Sequence, residues 1–158
     1  MSKNNTVINR DELSVTMSRE FNAERERVWK VYTDPELIPR WWGPRYLTTT
    51  VDKMDLRVGG VWRYIQKDPD GNTFAFNGVY KEIDPPNRLV STFEFEPMAG
   101  HVVTDASTFE DLPGGRTRLT THSTFSSLED LDGMVQSGME GGAIETWDRV
   151  EELLAAGQ

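Results

Sequence analysis

The sequence predicts an α+β fold in which one long antiparallel sheet lies under a C-terminal helix, and three observations lead there. Six segments between Leu47 and Phe125 alternate apolar with polar residues, as strands with one buried face do. The connections Asp68-Pro69-Asp70-Gly71, Asp84-Pro85-Pro86-Asn87 and Leu112-Pro113-Gly114-Gly115 are turn sequences too short for crossover helices, so neighbouring strands pair antiparallel. After Phe125 the period changes: Met139, Ala143, Trp147, Val150 and Leu154 recur at three- and four-residue steps with acidic residues on the other faces.

Taken in order, Leu13 to Phe21 alternates Leu13, Val15 and Met17 against Ser14, Thr16 and Ser18, which makes it the first strand. Asn22 then caps a helix with Glu24 and Glu26 near the positive end of its dipole and Val28, Val31 and Tyr32 on one face. Pro35 stops that helix by Asp34, and Asp34-Pro35-Glu36 opens a second short helix ending at Trp41-Trp42-Gly43-Pro44. The six further strands lie near Leu47 to Met54, Val61 to Lys67, Thr73 to Ile83, Arg88 to Phe95, Val102 to Glu110 and Arg116 to Phe125. Ser126 to Gly138 reads as a mobile lead-in to the long helix, either a lid over a cavity mouth or ordinary packing. The expected organisation is a flexible N-terminal segment, residues 1–12, followed by a single domain over residues 13–158, because no repeat or linker divides the rest.

Composition excludes several function classes. A net charge of -9 and a pI near 4.7 disfavour nucleic acid, whose phosphates are bound through clustered Lys and Arg. No apolar run approaches the ~20 residues that cross a bilayer, so membrane insertion is not expected. The sequence has no cysteine, which removes disulfides, thiolate catalysis and Cys-ligated metals. Met1 to Arg10 lacks the apolar stretch of a secretory signal, so a cytoplasmic location is expected. His101 and His122 are the only histidines and form no recognisable metal or triad spacing, so neither metal nor cofactor is expected.

Period-two counting places Trp62 and Tyr64, Phe74 and Phe76, Phe93 and Phe95, and Phe109 each on a single strand face turned toward the long helix. These aromatics either fill a solid core or line a cavity. Asp105 and Ser107 share the Phe109 face, and Thr121 and Ser123 continue the Leu119 face to Phe125. Such polar residues orient a ligand inside an apolar pocket, or they sit at strand ends and bind water. A buried carboxylate at Asp105 would have a raised pKa. Gly141-Gly142 inside the long helix costs about 1 kcal/mol per glycine relative to alanine, which suggests a close approach of the helix to the sheet or to a ligand, or a frayed or kinked first turn.

Four blocks together resemble one family: Phe21 to Tyr32, Trp41-Trp42-Gly43-Pro44, Met54 to Tyr64 with its Gly59-Gly60 pair, and Gly138 to Ala143 continuing through Trp147-Asp148-Arg149. The sequence is similar to the heat-shock-protein-90 ATPase activator homologues of the START-like SRPBCC superfamily from about Leu13 onward. The resemblance implies a helix-grip fold, a curved sheet of about seven strands around the C-terminal helix, with a hydrophobic cavity between them. On that basis the wall candidates are the strand aromatics named above, Asp105, Thr121 and Ser123, together with Trp42, Met139, Ala143 and Trp147.

The leading expectation is non-covalent binding of a small hydrophobic or amphipathic molecule, without turnover. An enzyme of cyclase, hydratase or hydrolase type, with Asp105 and nearby hydroxyls moving protons, is the alternative. A chaperone-interaction module is the third, disfavoured because only residues 1–12 precede the first strand where the family's co-chaperone has a separate chaperone-binding domain. A protein partner is left open, a homodimer included.

Overall fold

The computed structural model describes residues 4–157. Eight strands form one antiparallel sheet: β1 (Asn4–Asn9), β2 (Ser14–Phe21), β3 (Thr48–Met54), β4 (Val61–Lys67), β5 (Thr73–Asp84), β6 (Arg88–Phe95), β7 (Val103–Leu112) and β8 (Arg116–Thr124). Their order across the sheet is β1-β2-β8-β7-β6-β5-β4-β3. The chain from β3 to β8 is a meander, and β2 returns beside β8. Register shifts at Val51/Lys53 and Tyr80/Glu82 are irregularities of the kind that bend and twist a sheet locally. The helices are α1 (Arg25–Thr33), α2 (Leu128–Gln136) and α3 (Met139–Ala155).

Four features depart from the sequence reading. The sheet has eight strands rather than about seven, because residues 4–9 pair along β2 from Asn4↔Arg19 to Asn9↔Ser14 where a flexible segment was expected. That strand is polar and half exposed, so backbone pairing rather than apolar burial defines it. Residues 1–3 lie outside the described residues. The short helix expected from Asp34 is a single 3₁₀ turn at Ile38–Arg40, since the Asp34 carbonyl closes turns onto the amides of Leu37 and Ile38. Helix α1 begins at Arg25 after Glu24, which makes no side-chain cap, rather than after Asn22. The expected mobile lead-in contains α2, capped by the Ser127 hydroxyl accepting from the Asp130 amide at 3.0 Å and anchored by the fully buried Leu131.

The core lies between the concave sheet face and the helices. Val28 and Val31 of α1 are fully buried, and Thr117 of β8 donates to the Ala23 carbonyl at 2.7 Å just ahead of that helix. In α3 the buried residues are Trp147 at its midpoint and Val150, Leu153 and Leu154 in its C-terminal half. The same half carries the polar anchors. Arg149 donates to the Gly43 carbonyl at 2.7 Å and the Arg40 carbonyl at 2.9 Å. Arg27 of α1 donates to the Leu154 carbonyl at 2.6 Å. Arg19, on the inner face of β2 with its side chain fully buried, pairs with Asp148 at 2.8 Å and Glu151 at 3.2 Å. Its guanidinium also stands 5.5 Å from the Phe21 ring centroid. Gly141 and Gly142 are exposed, and a methyl group at either would meet nothing within 4 Å. Close approach therefore does not explain them.

The Arg19 pairing is asymmetric, because the arginine is buried while the two carboxylates remain partly in solvent. Removing both acids strands a desolvated charge, whereas replacing the arginine with an apolar side chain of similar length strands nothing. Asp148→Asn with Glu151→Gln should lower the unfolding free energy by about 3 kcal/mol, and Arg19→Met should change it by no more than about 1 kcal/mol, both read from urea titrations.

Candidate ligand cavity

With α3 fastened at its C-terminal half, its N-terminal half stands over a cavity of about 280 Å³. Met139, Ala143, Thr146 and Trp147 form the helix side of the wall. The sheet contributes Met17 from β2, Trp62 and Tyr64 from β4, Tyr80 from β5, Leu89, Ser91 and Phe93 from β6, Asp105 and Ser107 from β7, and Thr121 and Ser123 from β8. Tyr32 of α1 and the Trp41-Trp42 pair close the remaining side.

Trp42 is the hub of the aromatic part. Its ring centroid lies 5.1 Å from Tyr64 at an interplanar angle of 82° and 6.3 Å from Trp62 at 66°. These steep angles are favourable edge-to-face arrangements, and they set neighbouring rings as adjoining walls rather than as a stack. The Trp42 carbonyl accepts from the buried Thr49 hydroxyl at 2.8 Å, with Gln66 beside it. Gly43 permits this: at φ +89° a Cβ there would stand 1.9 Å from the Gln66 amide nitrogen. Trp62 depends on Gly78 in the same way. Its indole N–H donates to the Thr92 carbonyl at 3.2 Å across the glycine, where a Cβ would come within 2.4 Å of the indole nitrogen.

The opposite part of the wall is polar. Ser123 donates to Asp105 Oδ1 at 2.6 Å, and the Ser107 and Thr121 hydroxyls are 3.2 Å apart on the adjacent rung. Ser91 stands opposite Asp105 in the β6–β7 register. Burial pushes the Asp105 carboxyl above its ordinary range, against the smaller opposing effect of the Ser123 hydrogen bond. The Trp147 indole donates to the Tyr32 hydroxyl at 2.6 Å. Burial raises the Tyr32 and Tyr64 phenols strongly, and it raises Tyr80, which is hydrogen-bonded to Tyr64, to about 12. All three tyrosines are neutral near pH 7.

Of the residues singled out in the sequence, the structure brings Trp42, Trp62, Tyr64, Phe93, Asp105, Thr121, Ser123, Met139, Ala143 and Trp147 to this wall. Four it does not. Phe76 packs outside the wall against Trp42 and Phe93, at 5.1 and 5.5 Å between centroids. Phe74 and Phe95 continue that layer away from the cavity, 6.5 Å apart. Phe109 is buried core between Trp29 and Tyr32, at 5.3 and 5.5 Å. All four occupy the correct sheet face, but alternation assigns a face and not the stretch of it that the helix leaves uncovered.

Residues not singled out as wall candidates include Met17, Trp41, Tyr80, Leu89, Ser91 and Thr146. Tyr80 and Ser91 were open to the same period-two count; Thr146 lies one residue before Trp147 on α3. Both histidines are away from the wall. His122 Nδ1 meets the Thr16 hydroxyl at 2.8 Å, and His101 Nδ1 meets Asp130 at 2.8 Å. Among the described residues no group of three or more His, Asp or Glu side chains stands close enough to hold a metal ion, and no helix is long and apolar enough to cross a membrane.

The family model described as activator of Hsp90 ATPase homolog 1-like protein matches residues 22–155. The chain belongs to this family. Protein Ms6760 from Mycobacterium smegmatis, known from a crystal structure, is 31% identical with 98% of each chain covered and a TM-score of 0.85. A solution structure of a protein from Arthrobacter aurescens is 30% identical, covering 96% of this chain and 91% of that one, with a TM-score of 0.89. DynU16, a protein of the dynemicin biosynthetic locus, shares the fold at 18% identity and a TM-score of 0.68, with 92% of this chain and 48% of that one covered. No curated protein matches the sequence. As an Hsp90 ATPase activator homolog 1-like protein with the helix-grip architecture, the chain fits a ligand-binding module or an ATPase-activator-like one.

The buried carboxyl has a consequence for stability. Its pKa in the folded state lies above the ordinary 3.8, so the folded state holds the proton more tightly than the unfolded state does. Its contribution is fully present below that ordinary value and is lost as the pH rises through the folded-state pKa. Asp105→Asn removes the cost of burying the charge. Urea midpoints of the variant should therefore exceed those of the wild type at pH 7.5, and the two should converge as the pH falls below about 4.

Proposed function

We propose that the chain binds a small hydrophobic or amphipathic molecule non-covalently in the cavity under the N-terminal half of α3. The observation that carries this reading is one partly open cavity with aromatic rings on one side and a few convergent polar groups, Asp105, Ser107, Thr121 and Ser123, on the other. Small-molecule sites are built this way, an apolar lining for affinity with sparse polar groups for orientation. The volume of about 280 Å³ lies at the lower edge of the usual ~300–1,000 Å³ range, which favours a compact ligand. Binding without conversion is the simpler chemistry, because the polar corner offers one carboxyl group and hydroxyls with no imidazole, amine or thiol among the lining residues.

Intrinsic fluorescence is a suitable readout, because four of the five tryptophans, Trp41, Trp42, Trp62 and Trp147, line the cavity. Neutral aromatic probes from benzene to naphthalene in size should change this fluorescence saturably and be recovered unchanged. Phe93→Leu keeps the wall apolar while altering its shape, so it should shift probe affinity severalfold and cost no more than about 2 kcal/mol of stability, checked by circular dichroism on urea titration. No saturable response from the folded wild type would remove the binding reading, and conversion of a bound compound would replace it with the enzymatic one.

A further inference from the structure

We infer that the molecule held here is an organic cation, its ammonium group seated against Asp105 and facing the aromatic rings across the cavity; this rests on the binding proposed above and narrows it to one class of ligand. The charge inventory of the wall is one-sided. Asp105 is its only carboxylic acid, the other ionisable groups are the phenols of Tyr32, Tyr64 and Tyr80, and no Lys, Arg or His lines the cavity. Elsewhere in the molecule arginines are matched with acids, as in Arg19 with Asp148 and Arg63 with Glu96 at 2.7 Å. Asp105 stands in the cavity wall with the Ser123 hydroxyl donating to Oδ1.

A carboxylate has four lone-pair sites on two oxygens, so one hydroxyl leaves most of its accepting capacity turned to whatever occupies the space. A buried charge of this kind is stabilised by an opposite charge. The wall supplies none, and a cationic ligand would. The rings answer the other requirement, because the negative faces of Trp and Tyr attract ammonium and trimethylammonium groups even without hydrogen bonds. Trp42 meets Tyr64 and Trp62 at 82° and 66°, and Trp62 and Tyr64 are tilted at 45°, so the three rings form one aromatic side of the space. The chain's net charge of -9 draws cations toward it and repels anions.

The elements that line the cavity with Asp105 bring no competing charge to it. Helix α1 presents Tyr32, β2 presents Met17, β6 presents Ser91, β8 presents Thr121 and Ser123, and α3 presents Thr146 and Trp147. The acids of the following turn of α3, Asp148 and Glu151, are engaged with Arg19. Arg19 on β2 is thereby occupied, Arg149 on α3 donates to the Gly43 and Arg40 carbonyls, and neither lines the cavity. Because burial already favours the protonated form of Asp105, seating an ammonium group there releases a proton, and affinity for the cation rises with pH until the free carboxyl is ionised.

Calorimetric titration with choline and with 3,3-dimethylbutan-1-ol tests this directly, since the two differ in shape only by exchange of the quaternary nitrogen for carbon. The wild type should bind choline at least tenfold more tightly, and lowering the pH from 8 to 5 should weaken choline binding without affecting the alcohol. Asp105→Asn should abolish the preference while leaving alcohol binding in place; the pH series on the wild type serves the same purpose if that variant does not fold. Equal or tighter binding of the alcohol, or a preference that survives in folded Asp105→Asn, overturns the inference. If neither compound binds while the neutral aromatic probes do, the cation assignment falls and apolar binding stands. If none of them binds, both fall.

Discussion

One helix has to cover the concave face of an eight-stranded sheet, and it is too narrow to do so along its whole length. The C-terminal half of α3 resolves this by packing, with Val150, Leu153 and Leu154 buried beyond Trp147 at the helix midpoint. Arg149 of this half donates to a carbonyl of the neighbouring loop, Arg27 of α1 donates to its Leu154 carbonyl, and Arg19 meets it from the sheet. The N-terminal half buries none of its residues and turns Met139, Ala143 and Thr146 to the space above the sheet. The gap beneath it follows from that distribution. Helix α2, anchored by Leu131, leads directly into this less filled half.

The walls of the gap are held by contacts outside it. Gly43 and Gly78 are the clearest cases, because each removes a Cβ that would collide with a side chain positioning a wall residue: Gln66 beside the Trp42 carbonyl, and the Trp62 indole itself. Trp41 is held by its indole N–H donating to the Val31 carbonyl at 2.8 Å, and Trp147 by donating to Tyr32. The indole N–H groups of three wall tryptophans are thus turned to protein acceptors, which leaves their apolar rings for the cavity. Asp105 is the opposite case, a group whose ionised form the surroundings disfavour.

Much of this was legible in the sequence, for definite reasons. Strands β4 and β6 have the bounds that alternation assigns, because Trp62, Tyr64, Leu89 and Phe93 recur at even spacing on one face of their strands. The first residue of α3 is Met139, as the three- and four-residue steps indicate. Strand β1 was not legible, since Asn4–Asn9 contains no apolar alternation and is held by pairing with β2. Helix α2 was obscured by its acidic residues and Gly133, although the Ser127 cap and Leu131 are its signals. Within the cavity, the sheet face of each aromatic was predictable but its distance from the helix was not. Phe109 and Phe93 satisfy the same rule, yet Phe109 is sealed by Trp29 and Tyr32 while Phe93 meets open space. That distinction is tertiary, set by where α1 and α3 cross the sheet.

The most direct test of a ligand-accepting cavity is the ¹H–¹⁵N spectrum of the tryptophan indoles during titration with a neutral naphthalene-sized probe. Trp29, packed on Phe109 at 5.3 Å and absent from the wall, is an internal reference. Occupation of the cavity predicts saturable shifts of the Trp42, Trp62 and Trp147 resonances with Trp29 unmoved. Resonances that do not move, or a uniform drift that includes Trp29, would contradict it.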